Sequence, residues 1–133
     1  MKKLLLILLC IPLIGFGQKN DNKAILSVEN WISLIDNKKY KLSWEKSDDL
    51  VKNMISIENW EVIMNGARSP LGDMLERTIL SNEFKSEVPG APDGEYIIII
   101  YESKFENKNS ALETITARKN KDNLWKVVGY YIK

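Results

Sequence analysis

The sequence predicts an α+β domain in which helices pack on one face of a curled, four-stranded antiparallel meander sheet. Three observations predict it. Up to residue 67 the apolar residues recur at three- and four-residue steps, the spacing of helices with one buried stripe. After Gly72 the chain turns rich in Ile, Val, Thr, Tyr and Phe, in runs of strand length. The links between the last three runs are short and polar, which makes sequential antiparallel pairing the default. Helices first and strands second is the order of an α+β domain, not of alternating βαβ units.

A leader precedes the domain. Met1-Lys2-Lys3 is followed by the apolar run Leu4 to Phe16, and Gly17 stands before Gln18. A positive start, a short apolar core and a small residue at its end are the grammar of a secretory signal, with cleavage expected between Gly17 and Gln18. Spanning a bilayer takes roughly 20 apolar residues, more than this run supplies. Cys10 sits among Leu8, Leu9 and Ile11 with almost no signal core before it, so it reads as leader filler, not as a lipid attachment site. The expected organisation is a signal peptide over 1–17, a polar flexible lead-in over 18–23 and a single domain over 24–133. The expected location is the periplasm or the medium, with membrane contact only through the uncleaved leader.

Along the domain, Ile25, Val28, Trp31, Ile32 and Ile35 mark the first helix, ended by Asn37-Lys38-Lys39. Tyr40 and Trp44 lie four apart and suggest a short second helix. Ser47-Asp48-Asp49 reads as a third helix start, the Ser47 hydroxyl accepting a free backbone N–H and the acids favouring the dipole. Ser56 repeats that signal, followed by Trp60, Ile63, Met64 and Ala67, until Ser69-Pro70-Leu71-Gly72 closes the helical half. The strands are expected over 74–85, 95–105, 110–119 and 124–132. ENKN (106–109) and NKDN (120–123) have hairpin lengths. Val88 to Gly94, with two prolines and two glycines, is a stiffer link between the first two strands. Ile97 to Ile100 leave no polar face at mid-strand, as in an interior strand.

Composition excludes several chemistries. The chain has no histidine, and Cys10, its one cysteine, lies in the leader. Ser-His-Asp and Cys-His catalysis are therefore excluded, as are zinc and copper sites built on imidazole or thiolate. Without Lys2 and Lys3 the mature chain keeps 17 of its 19 Lys and Arg against 18 Asp and Glu. So even a balance offers no electrostatic footprint for nucleic acid or an acidic membrane surface. No cofactor or metal is expected. Asp93 has too few oxygen neighbours in its stretch for calcium.

The segments Glu29-Asn30-Trp31-Ile32-Ser33-Leu34-Ile35-Asp36, Ser69-Pro70-Leu71-Gly72 and Pro89-Gly90-Ala91-Pro92-Asp93-Gly94-Glu95-Tyr96 resemble the bacterial family called domain of unknown function 4019. So do Phe105-Glu106-Asn107-Lys108, Glu113-Thr114-Ile115-Thr116 and Trp125-Lys126-Val127-Val128-Gly129-Tyr130-Tyr131-Ile132. The resemblance covers nearly all of residues 24–133. It implies a nuclear-transport-factor-like, cystatin-like cone, with helices over the concave side of a bent sheet. It brings no established activity.

Glu113 is the leading candidate site residue. Strand alternation puts it on one face with Ala111, Ile115 and Ala117, where a carboxylate is costly unless paired. A tight NKDN turn places it opposite Tyr130, with Tyr101 or Ser103 on its other side. Arg68, Arg77 and Arg118 are candidate charge partners. Three readings stand open: the polar end of a pocket, a solvent-facing glutamate, or a structural bond to an arginine or tyrosine. Among the tryptophans, Trp31 and Trp60 lie on helical stripes and read as core, while Trp44 is the candidate for pocket lining. Pro89, Gly90, Pro92, Asp93 and Gly94 form a rigid loop that reads either as a recognition loop or as a crossover. The expected function is a non-enzymatic module for a small apolar or amphipathic ligand or a protein partner, with a homodimer expected from analogy of fold. The alternatives are a small lyase or isomerase using Glu113, and a structural partner in an envelope assembly.

Overall fold

The computed structural model describes residues 16–133, so most of the expected leader, with Cys10, lies outside the described residues. Helix α1 spans Phe16–Asp36, α2 Tyr40–Glu45, α3 Asp49–Met54 and α4 Ile57–Arg68, followed by a 3₁₀ turn at Ser69–Leu71. The strands are β1 Met74–Lys85, β2 Tyr96–Phe105, β3 Lys108–Lys119 and β4 Trp125–Ile132. Residues 18–23, expected as a lead-in, lie within α1. Among the described residues no helix is long and apolar enough to cross a membrane.

The helix starts follow local hydrogen bonding. Ser56 caps α4, its hydroxyl accepting from the Asn59 N–H at 3.2 Å. At α3 the cap is Asp48, which accepts from the Leu50 N–H at 2.9 Å. Ser47, expected there, is used elsewhere: its hydroxyl donates to the Ser43 carbonyl at 2.7 Å and accepts from the Trp31 indole at 3.1 Å. A buried indole N–H needs an acceptor more than a helix end open to water does. Ser43, itself without exposure, accepts from the Trp31 indole with its carbonyl and from the Trp60 indole with its hydroxyl, each at 2.9 Å. One buried serine thus lets two tryptophans enter the core and meet edge to face, their rings 6.1 Å apart.

The four strands form one antiparallel sheet in the order β1-β2-β3-β4, the meander expected from the short links. Ile97, Ile99, Tyr101, Ser103 and Phe105 of β2 point inward, as do Ala111, Glu113, Ile115 and Ala117 of β3, and all are buried. The helices cover this inner face, with Val28, Trp31, Ile32 and Ile35 of α1 against it. The far side of β4 is partly closed by the start of α3, where the Asp48 N–H donates to the Val127 carbonyl at 2.8 Å.

A bulge in β4 decides which tyrosine faces inward. Thr116 pairs with Gly129 but Ala117 pairs with Val127, so Val128 is an extra residue. Without it Tyr131 would share the inner face with Val127. With it Tyr130 does, and Tyr131 is left 62% exposed. The expected register, with Glu113 opposite Tyr130, is corrected by the same bulge: Glu113 pairs with Ile132, and Tyr130 with Ile115 one row away.

Gly72, at φ 73° and ψ −161°, makes the bend between the helical half and β1. A Cβ there would lie 2.9 Å from the Glu106 Cβ, in the β2–β3 turn that packs on this link. Gly66, inside α4, has open space where a Cβ would be. Equilibrium unfolding in urea is therefore expected to give opposite signs. Gly72→Ala should lose about 1–3 kcal/mol from strain and contact, and Gly66→Ala should gain about 0.5–1 kcal/mol from helix propensity.

Candidate functional site

Glu113 has no solvent exposure. Strand alternation puts its side chain between sheet and helices, and β1 supplies its counter-charge. Arg77 Nε donates to one carboxylate oxygen at 2.7 Å and Nη2 to the other at 3.2 Å, a bidentate pair. The Ser103 and Tyr130 hydroxyls each donate a short hydrogen bond to the same carboxylate. All of its acceptor capacity in reach is therefore spent on the protein itself.

The pairing continues beyond Glu113. Arg77 also donates to both oxygens of Asp36, at 2.7 and 2.9 Å, and Arg68 Nη2 donates to Asp36 Oδ1 at 2.8 Å. Two guanidinium groups thus alternate with two carboxyl groups, joining β3, β1, the end of α1 and the end of α4. The Arg68 guanidinium lies 4.7 Å above the Phe105 ring, a cation–π contact. Burial works to raise the Asp36 carboxyl, yet hydrogen bonds and charge from Arg77 and then Arg68 outweigh it and hold it below the usual aspartate range. Burial, and then the neighbouring Glu113 charge, push the Tyr130 hydroxyl above the ordinary tyrosine range. Tyr101 is shifted the same way, by burial first and the Glu29 charge second.

Of the residues singled out from sequence, Glu113, Tyr130, Arg77 and Ser103 come together, and Arg68 joins through Asp36. Tyr101 lies directly across from Glu113 in the ladder, but its hydroxyl has no hydrogen-bond partner among the described residues. Arg118 does not join. Alternation sends it to the outer face, where Nη1 lies 3.6 Å from Asp48 Oδ2. Trp44 is also elsewhere: its indole donates to the Ile55 carbonyl at 2.8 Å, tying α2 to the link between α3 and α4.

The 88–94 loop divides. The Pro92 carbonyl accepts from the Tyr96 hydroxyl, and the Gly94 N–H bonds the Ser86 carbonyl at 2.9 Å, so this half is turn structure. Asp93 is exposed. Pro89 and Gly90, the latter at φ 80°, fold over the outer face of the sheet and wall an apolar groove of about 410 Å³. Ile98, Thr116 and Gly129 form its floor, one row across β2, β3 and β4. Leu50 and Met54 of α3 overhang the far side, Met54 being 80% exposed, and Lys85 stands at the β1 side. A Cβ on Gly129 would meet nothing within 4 Å.

Three parts of these arrangements escaped sequence reasoning. Asp36 falls four residues after Ile32 and so prolongs the buried stripe of α1, a signal for a paired acid. Gly129 inside a strand was a signal for a bulge or a close approach. Nothing local in the sequence brings Leu50 and Met54 to the same groove as Pro89.

Glu113→Ala would leave Arg77 buried against Asp36 alone. It is expected to lower unfolding stability by about 3–5 kcal/mol, and Arg77→Ala by a similar amount. The double variant should lose about 0.5–3 kcal/mol less than the sum. Additive losses in the same denaturant titrations would contradict the pairing.

No curated protein and no solved structure matches the chain. A family model described as a protein of unknown function (DUF4019) matches residues 27–130, a span that holds α1 from Ser27 onward, the three later helices, the sheet as far as Tyr130 and both arrangements described above, and the chain belongs to that family.

Proposed function

We propose that the chain is an exported, non-enzymatic module that binds a small apolar or amphipathic ligand in the outer groove, between the 88–91 loop and α3. The observation that carries this reading is the open, apolar floor at Ile98, Thr116 and Gly129 beneath a stiff loop. A volume of about 410 Å³ falls within the usual range for small-molecule sites. Met54 at its mouth is the kind of pliable apolar side chain that adapts to a guest. Export is supported by Met1-Lys2-Lys3 and the apolar run to Phe16. Bulges in β1 and β4, which bend strands, support the cystatin-like curl of the sheet.

The proton-transfer reading of Glu113 has less support. A general base must reach the proton that it takes, and Glu113 is without exposure and engaged by three side chains.

Native mass spectrometry of the protein recovered undenatured from its own cell envelope tests the proposal. The expected species begins at Gln18 and carries a small-molecule mass excess. Gly129→Leu, which fills the floor, should remove the excess and leave the unfolding free energy within about 0.5 kcal/mol of wild type. A bare chain in the wild type, or an excess that survives in Gly129→Leu, would sink the groove as the binding site.

A further inference from the structure

We infer that the ligand is a carboxylate amphiphile, an apolar chain with one anionic head held by Lys85, an inference that rests on the groove being the binding site. Lys85 is the one ionisable side chain that lines the groove among the described residues, and Thr116 carries the one hydroxyl. The sheet register gives the groove two unlike ends. Lys85, on edge strand β1, is the charged end; Arg118 and Lys126, which share its row across β3 and β4, line a separate hollow with Asp48 and Asp49. Leu50 and Met54, at the other side, offer only apolar surface.

Carboxylates face all three cations, and Asp48, Asp49 and Asp122 line the same hollow as Arg118 and Lys126. Arg118 is engaged by Asp48 at 3.6 Å. Glu83 pairs with Ile98 in the ladder and approaches Lys85 at 3.9 Å, with side chains 67% and 42% exposed. That pair is loose and lies in water, so it holds Lys85 only weakly. An anionic head would displace Glu83, which swings into solvent at little cost. A cationic head would meet Lys85 as a like charge. A headless apolar guest would leave Lys85 unused.

Isothermal titration of the mature protein at low salt, with decanoate, 1-decanol and decyltrimethylammonium as probes, tests this. Decanoate should bind about two- to fivefold tighter than decanol, and the cation most weakly. Lys85→Gln, on an exposed side chain outside the core, should abolish the decanoate advantage and leave decanol unchanged. Glu83→Gln should enlarge the advantage. Equal binding of decanoate and decanol, or an advantage that survives Lys85→Gln, would overturn the head-group inference and leave the groove standing. If no probe binds, or if all bind undiminished to Gly129→Leu, the groove reading falls and this inference with it.

Discussion

The ion pair between Glu113 and Arg77 is the constraint on which the rest of the structure depends. A carboxylate at zero exposure on an apolar sheet face is several kcal/mol too costly to stand alone. Its partner comes from β1, an edge strand that is otherwise exposed along most of its length. Arg77 therefore anchors that strand from within. Through Asp36 the same guanidinium reaches the end of α1, and Arg68 carries the link to the end of α4. Charge pairing, not apolar contact, fixes how the helical layer meets the β1 side of the sheet.

This arrangement divides the labour between the two faces of the sheet. On the inner face Glu113, Arg77, Ser103 and Tyr130 satisfy one another, and the indoles of Trp31 and Trp60 find their acceptors on Ser43, while the Tyr101 hydroxyl stays unpartnered among the described residues. On the outer face the row Ile98, Thr116 and Gly129 has no helix laid along it, only the overhang of α3 and the 88–91 loop. The proposed binding site is on this second face because the first has spent its polar groups on holding the fold.

Much of this was legible in the sequence, for physical reasons that differ between elements. The strand runs and the meander follow from β-branched composition and short links, and both are present. Glu113 was legible because period-two alternation exposes an acid on an apolar face. Arg77 was one of three candidates, and only the ladder separates it from Arg118, whose neighbour Ala117 points inward. Tyr130 was assigned to the right face through the wrong register, because a bulge moves every later side chain to the opposite face. The groove was least legible. The 89–94 loop stood out, but α3 joins it through tertiary contacts that no local pattern encodes, and Trp44 was drawn into an indole hydrogen bond instead.

The central claim is that the Glu113 cluster is sealed and structural. Hydrogen exchange of the Arg77 Nε–H, followed by ¹⁵N-edited NMR on the intact protein, tests it most directly. Buried against Glu113 at 2.7 Å, with a side chain 8% exposed, that proton should exchange only as fast as the whole domain unfolds. Exchange at the rate of a surface arginine would mean that water reaches Glu113 in the folded state, and would return the inner face to contention as the functional site.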